Sequence, residues 1–270
     1  MGRIIAFPPR HPPESPPFAM IDDPWFYAAA LPAVLVLGLA KGGFGSVGLL
    51  VVPILSLVVS PVQAAGIVLP ILVLSDIVAL ASYWGVWDRR VLAMMLPGAL
   101  VGVAIGWWTA AWVGEEEIRL ILGLMSVAFA LNYWIRQRAK IVPHPHNGWQ
   151  ATFWGALSGF TSFVSHAGGP PYQIYVTPLR LAPRIFAGTM VVFFFVVNAL
   201  KLVPYFFLGQ FSSENLLTSA VLLPVSIPAT FFGVWLIRRI ESKRFYEVVY
   251  ILIFAIGLFL IAESIVDLAA

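Results

Sequence analysis

Three ionisable residues lie inside long apolar stretches of the chain: Lys41, Asp76 and Lys201. A charge among apolar residues is costly where water is excluded, so such residues commonly mark an ion or substrate pathway. Lys41 could bind an anion, or its side chain could extend to lipid headgroups. Asp76 is far from both ends of its stretch. It is predicted to be either a proton carrier or ion ligand, or a structural partner of a lysine or a backbone donor.

A second polar group surrounds Lys201. Asn198, Lys201 and Tyr205 are spaced by three and four residues, which places them on one helix face. Tyr83 follows Asp76 by seven residues and shares its face. Lys201 could pair with Asp76 only to hold helices together, or it could meet a substrate. These five residues are our candidates for coupling or gating.

Two glycine-rich interruptions, at 41–45 and 167–171, divide apolar stretches. A broken helix leaves free backbone N–H groups, and its positive dipole end can hold an anion. Hydroxyl, imidazole and amide side chains nearby suit an oxyanion, although small and hydroxyl residues also serve simply to pack membrane helices. The candidate substrate-binding residues are Lys41, Gly42, Gly43, Phe44, Gly45, Ser46, Ser162, Ser165, His166, Gly168, Gly169 and Gln173.

Composition identifies the environment of these groups. Of 270 residues, 60% are hydrophobic and 11% are charged, against about 45–50% and about 25% in soluble domains. This excludes an ordinary soluble enzyme, a disordered chain and a coiled coil. The long continuous apolar runs also argue against an outer-membrane barrel. The sequence therefore predicts an all-α polytopic membrane protein in contact with membrane lipid.

Other classes of site find little support. There is no cysteine, hence no disulfide and no thiolate metal ligand. We expect no metal and no cofactor, and no nucleic-acid partner, because the cations lie in loops where they orient membrane helices. Ser158 lies in a GALSG run near His166, but the strand–turn–helix context of a serine hydrolase is missing. No nucleotide-binding GxxxxGK[ST] motif is present, and we predict no enzyme activity.

The apolar segments number five before and five after a polar break. We place them at 24–40, 46–59, 62–84, 90–111 and 118–135, then at 150–165, 170–179, 183–207, 215–236 and 245–262. The predicted divisions are a proline-rich tail at 1–23, a first repeat at 24–135, a linker at 136–149 and a second repeat at 150–265. Segments 46–59 and 170–179 are too short to span comfortably.

The two halves resemble one another. A shift of 122 residues superposes Pro61 on Pro183 and Asp76 on Asn198. A shift of 127 then superposes Pro97 on Pro224. Matches in order at steady spacing predict an internal duplication. We expect Asp76 and Asn198, as equivalent residues, to approach each other near the axis that relates the halves.

Loop charges predict that the repeats are inverted. Positive loops belong on the inner side, which places Arg89–Arg90 and the linker inside and Glu115–Glu117 outside. The equivalent loops of the second half carry the opposite charge pattern. Both termini are then on the outer side of a cytoplasmic (inner) membrane. Inverted repeats with paired broken helices are typical of secondary transporters.

The run GLAKGGFGSVGLLVVPILSLVVSPVQAAGIVLPILVLSDI resembles the first-half signature of the TauE/SafE sulfite exporter family, also called the 4-toluene sulfonate uptake permeases. The run GFTSFVSHAGGPPYQIYVTPLRL resembles the second-half motif, and the similarity covers nearly all of 25–265. A fuller glycine run occupies the position of Ser165–Pro171 in many members. The resemblance implies a membrane transporter of sulfite or sulfonates such as sulfoacetate, with uptake and export both found in the family.

We therefore expect a secondary active transporter of a small sulfur-containing anion. It would work by alternating access, with a proton as coupling ion and with a homodimer as a possible assembly. Two alternatives stay open: a passive anion channel, which needs no coupling carboxylate, and a non-transporting membrane enzyme or assembly factor, which binds no anion.

Overall fold

The structure is a computed structural model that describes residues 21–41, 45–110, 112–138, 145–236 and 242–269. Gly42, Gly43 and Phe44 lie outside the described residues, as do most of the predicted tail and part of the linker. Of Gly45 and Ser46 only the backbone is described. The predictions made for these residues stay predictions.

Ten α-helices make up the described part of the chain, in agreement with the all-helical class and the ten segments predicted. They are α1 (Pro24–Leu39), α2 (Val51–Leu55), α3 (Pro61–Ser82), α4 (Arg89–Ala110), α5 (Glu115–Arg138), α6 (Gly148–Ser165), α7 (Gly169–Val176), α8 (Pro183–Phe207), α9 (Ser213–Leu236) and α10 (Ser242–Ala269). A 3₁₀ turn, Gly45–Leu50, precedes α2, and another, Thr177–Leu179, follows α7.

Local chemistry fixes several helix starts. The Ser60 hydroxyl accepts from the backbone N–H of Gln63 at 3.2 Å, and the Asn147 side chain accepts from that of Gln150 at 3.1 Å. Each bond satisfies one of the free N–H groups at a helix start. Proline occupies the first position of α3, whose missing N–H is unpaired there anyway.

Six helices among the described residues are long and apolar enough to cross a membrane: α3, α4, α5, α8, α9 and α10. Each half of the chain thus contributes three long helices, one helix of intermediate length and one short helix. The intermediate helices are α1, with 16 residues, and α6, with 18, and the short helices are α2 and α7. With five and eight residues, α2 and α7 cannot span a bilayer.

The helix contacts are symmetric when the halves are exchanged. Helix α1 packs on α9 as α6 packs on α4, and α3 contacts α9 as α8 contacts α4. The central pairs, α3 with α8 and α5 with α10, join equivalent helices. This pattern supports the predicted duplication, while the inverted orientation of the halves stays a prediction.

Helices α4 and α6 approach closely because glycines line both surfaces. A Cβ added at Gly102 would collide with the carbonyl oxygen of Ala156 and lie 2.7 Å from the amide nitrogen of Phe160. One added at Gly159 would collide with the carbonyl of Ala99. Small residues let membrane helices bring their backbones together in this way. The contact places the C-terminal end of α6, where the second interruption begins.

Replacing Gly102 by leucine is expected to separate α4 from α6 and to destabilise the fold by about 3 kcal/mol or more, because the collision is with backbone rather than a movable side chain. The loss would appear as a lower thermal midpoint and aggregation in size-exclusion chromatography. Gly148→Leu is the matched control, since nothing lies within 4 Å of a Cβ added at Gly148. Equal behaviour of the two variants would contradict this account.

Candidate functional site

The interruption between α6 and α7 is held by hydroxyl groups of α6. His166 ends α6 in the left-handed conformation, with φ 56° and ψ 20°. The Ser158 hydroxyl donates to the carbonyl of Gly168 at 2.7 Å, and the Thr161 hydroxyl lies 3.1 Å from the carbonyl of Ala167. These bonds satisfy carbonyls that the broken helix leaves free. The turn thereby aims the His166 ring at α3 and α8.

Lys201 on α8 is completely buried and points at this interruption. Its ammonium nitrogen lies 2.9 Å from the carbonyl oxygen of Ser162, 3.1 Å from the Ser162 hydroxyl and 2.6 Å from Nδ1 of His166. Nε2 of His166 lies 3.0 Å from the carbonyl oxygen of Ala65. A carbonyl only accepts, so Nε2 carries the hydrogen and Nδ1 accepts from Lys201. The bond pattern therefore assigns a neutral imidazole to His166.

Asp76 joins both halves of the chain. Lys41 donates to Oδ1 of Asp76, and Nδ2 of Asn198 donates to Oδ2 at 2.6 Å. Asp76 and Asn198 are buried, while the Lys41 side chain is 13% exposed. The expected approach of Asp76 and Asn198 is observed. The partner of Asp76 is Lys41 rather than Lys201, and Lys41 turns inward rather than towards headgroups.

A central cavity of about 660 Å³, counting its open mouth, connects these groups. Its polar end is formed by Lys41, Asp76, Ser162, His166 and Asn198. The remaining walls are largely apolar and come from six elements: Leu37, Ala40, Gly48, Val51, Val68, Leu72, Gly169, Met190, Val191 and Phe194. Gly168 lies just behind Gly169, where a Cβ would fall 2.7 Å from the carbonyl of Ser158. A mostly apolar pocket with a few convergent polar groups is typical of a small-molecule site.

The charges of the polar end and of Lys201, which lies behind Ser162 and His166 rather than in the cavity lining, do not balance. Lys41 and Asp76 neutralise each other, whereas Lys201 donates three hydrogen bonds to neutral acceptors only, among the contacts described. With both lysines protonated and Asp76 ionised, this group carries one net positive charge. A buried charge without a counterion is costly, and a bound anion would compensate it. The geometry thus favours an anionic ligand.

The family model of the TauE/SafE sulfite exporters matches residues 30–260. The chain belongs to this family. No curated protein and no solved structure matches the chain. The family description names sulfite export, which is a transport activity rather than catalysis, and with six apolar helices this chain is a multi-pass membrane protein of that transporter family.

Not every candidate residue of this TauE/SafE member lies at the central cavity. Gln173 faces a separate cavity with Asn132 and Arg136 of α5. The Ser165 hydroxyl donates within α6, to the carbonyl of Thr161 at 3.4 Å. Tyr83 ends α3 at a loop and does not line the cavity. Among the proposed residues outside 42–46, six are therefore not part of the cavity lining: Tyr83, Ser165, Gly168, Gln173, Lys201 and Tyr205.

Sequence reasoning missed the apolar wall of α8. Met190, Phe194 and Asn198 are each four residues apart, so they form one helical stripe that ends at the polar group. The four-residue spacing that leads back from Asn198 to Phe194 and Met190 was the signal in the sequence that could have identified this wall.

Ser75, bonded to Ser226 on α9 at 2.8 Å, likewise connects α3 to the other half directly beside Asp76. Among the described residues, no group of three or more His, Asp or Glu side chains could hold a metal ion.

His166 is one of two non-glycine residues with positive φ in the described chain. The left-handed conformation costs an L-residue roughly 1–2 kcal/mol relative to glycine. His166→Gly should therefore be about 1 kcal/mol more stable than His166→Ala, although both lose the imidazole. Thermal midpoints of the two purified variants measure this difference, and an alanine variant as stable as the glycine variant would show that the turn is not strained.

Proposed function

We propose that this chain is a secondary transporter that binds a small sulfur oxyanion, sulfite or an organic sulfonate, in the central cavity. The observation that supports this is the buried Lys201 ammonium, which has only neutral described partners and stands behind Ser162 and His166 at the cavity wall. Membership of the TauE/SafE family makes sulfite and sulfonates the first anions to test.

The cavity has two kinds of wall, and each suits one part of such a ligand. Lys41, Asn198 and Ser162 offer donors at the polar end. Met190, Val191 and Phe194 form an apolar part of the wall of the same cavity. The oxygens of a sulfonate would meet the donors while its carbon chain removes apolar surface from water. Inorganic sulfite would use the polar end alone.

We propose that Asp76 couples transport to protons. With Lys41 and Lys201 protonated, protonation of Asp76 would raise the net charge of these three residues together from one positive charge to two and would strengthen anion binding. By linkage, a bound anion favours protonation to the same extent. Anion and proton would then cross together. Lys41 and Asn198 are both hydrogen-bonded to Asp76 and line the cavity, so the protonation of Asp76 would affect the cavity through them.

The proposed transport cycle is alternating access between two inverted repeats in a cytoplasmic membrane. Its support is the symmetric helix packing together with the paired short helices α2 and α7. Inverted repeats place a binding site at their interface near the membrane midplane. Asp76 and Asn198, which come from equivalent helices of the two halves, meet at this interface.

Thermal stabilisation of the purified protein is the first test. A ligand that binds only the folded state raises the midpoint by mass action. We expect sulfite or a sulfonate to raise it while chloride and acetate do not, and to raise it more at pH 5.5 than at pH 7.5. If no sulfur anion shifts the midpoint at either pH, the proposed substrate class is wrong.

Proteoliposomes test the coupling. An imposed inward proton gradient should drive accumulation of the stabilising anion. Asp76→Asn should abolish accumulation, whereas Arg119→Gln, a charge change outside the cavity, should not. Anion flux down its own gradient with no effect of protons would favour a passive channel instead. Absence of both binding and flux for every anion tested would favour a non-transporting membrane enzyme or assembly factor.

A further inference from the structure

A second cavity of about 470 Å³, counting its mouth, lies beside the central one and is not used by the function proposed above. It is enclosed by the start of α3, the end of α4, the start of α5, the end of α6 and the end of α8. Its walls are mainly apolar and include Val62, Ala65, Gly106, Thr109, Ile121, Phe160, Phe163 and Tyr205.

The two cavities follow one another along the same two helices. On α3, Ala65 lines the second cavity and Val68, one turn later, lines the central cavity. On α8, Tyr205 lines the second cavity and Asn198 lines the central one. Lys201 lies between these two residues on the same face. The cavities are therefore consecutive spaces along the axis of α3 and α8.

Three side chains close the space between them, and we call them the polar layer: His166, Lys201 and Tyr205. Nε2 of His166 donates to the carbonyl of Ala65 at 3.0 Å, and the hydroxyl of Tyr205 donates to that of Phe163 at 2.6 Å. Lys201 donates to His166 and to α6. Each of these bonds joins two different helices, or a helix and the interruption. All the acceptors of the polar layer are neutral.

We propose that the second cavity is the other half of the anion path and that the polar layer is the gate between the halves. This inference rests on the function proposed above. The Asn198 amide, Lys201 ammonium and Tyr205 hydroxyl give three donors in succession on one face of α8, from one cavity to the other. An oxyanion offers acceptors equivalent to those that the donors now occupy, and a charge-assisted bond to it is stronger than one to a neutral acceptor.

The opening step follows from this exchange of acceptors. When the Lys201 ammonium turns to the anion, Nδ1 of His166 loses its donor, and the ring is then held to α3 by the Ala65 bond alone. Breaking that bond and the Tyr205–Phe163 bond joins the cavities. The ligand thus supplies the free energy that opens its own path, as a population shift requires.

The natural absence of cysteine allows a direct test. Thr109→Cys places a thiol in the second cavity, and Val191→Cys places one in the central cavity. An anionic, membrane-impermeant methanethiosulfonate is added to right-side-out and to inside-out vesicles that contain the full chain. We expect the Thr109→Cys protein to react from one face, predicted to be the outer, and the Val191→Cys protein not to react from that face.

Opening the gate should change the labelling rate of the thiol in the central cavity, that of Val191→Cys, and not the labelling rate of Thr109→Cys. His166→Gly, which suits the left-handed backbone, and Tyr205→Phe, which keeps the ring, should each raise the rate at which Val191→Cys reacts from the Thr109 face by tenfold or more. Ser219→Ala is the matched control. It removes a bond of 2.7 Å to another α3 carbonyl, that of Ile67, but Ser219 lines neither cavity. Thermal midpoints and size-exclusion profiles confirm that the variants fold.

Several outcomes overturn the gate: Thr109→Cys reacting from neither face, Val191→Cys reacting from the Thr109 face without any gate variant, or folded gate variants that leave its protection unchanged. Thiol labelling needs no substrate, so the result is separate from the proposed function. If sulfite stabilises the protein but the gate variants do not alter labelling, the gate is wrong and the function stands. If labelling behaves as expected but no anion binds, the gate between the cavities stands and the proposed function is wrong.

Discussion

Replacement of Lys201 by methionine is expected to weaken anion binding by roughly ten- to a hundredfold, because one hydrogen bond to a charged group contributes about 1.5–3 kcal/mol. Methionine fills nearly the same volume without a charge, and Lys201 is completely buried, so the fold should persist. The measurement is the sulfite or sulfonate concentration that half-saturates the thermal shift, combined with the initial rate of uptake into proteoliposomes.

Two comparisons separate binding from structure in this variant. Arg119→Met removes a cation that is bonded to Asp267 on the surface of the α5–α10 pair, and it should leave binding unchanged. Removal of a desolvated ammonium can even raise stability. A Lys201→Met protein that remains folded and still binds the anion with unchanged affinity would contradict the role given to this ammonium.

Asp76→Asn is expected to destabilise the protein by about 3–5 kcal/mol, the usual cost of removing one partner of a buried ion pair. Asparagine keeps an oxygen for Lys41 but loses the compensating charge, and Asp76 has no exposed surface. Proton-driven accumulation should disappear at the same time. Thermal midpoints give the first effect, and uptake with and without a proton gradient gives the second.

The double variant Lys41→Met with Asp76→Asn is the decisive comparison. It removes the unpaired charge, so we expect most of the lost stability to return while coupling stays absent. Two residues in direct contact commonly show such non-additive effects. If the double variant is as unstable as the sum of the single variants, Lys41 and Asp76 are not an energetic pair. If it still accumulates anion on a proton gradient, Asp76 is not the coupling group.

The sequence was sufficient to predict the helices and one contact of the site. Long apolar runs leave helices as the only local structure for their backbone, so the ten segments agree with the observed elements. The approach of Asp76 and Asn198 followed from their equivalent positions in the two halves. Such an argument needs only the chain positions and the symmetry, and no knowledge of side-chain orientation.

The orientation of the side chains could not be predicted from the sequence. The pairing of Lys201 with His166 depends on the left-handed turn that ends α6, and no helical periodicity extends through that turn. Gln173 follows the interruption closely and was assigned to the binding site for that reason. It lies three residues after Pro170, on the face of α7 that is turned towards α5, and the spacing within α7 alone does not say which neighbour that face meets.

The exchange-symmetric packing described above has a mechanical consequence. Helix α1 of the first half is joined to α9 of the second, and α6 of the second half is joined through glycines to α4 of the first. Movement of one half past the other as a rigid block would break both of these helix contacts. The two pairs α1–α9 and α4–α6 are each built from both halves, so a movement that keeps both contacts would have to move each pair as a unit. The division between the halves of the sequence therefore does not coincide with the division between these packed pairs of helices.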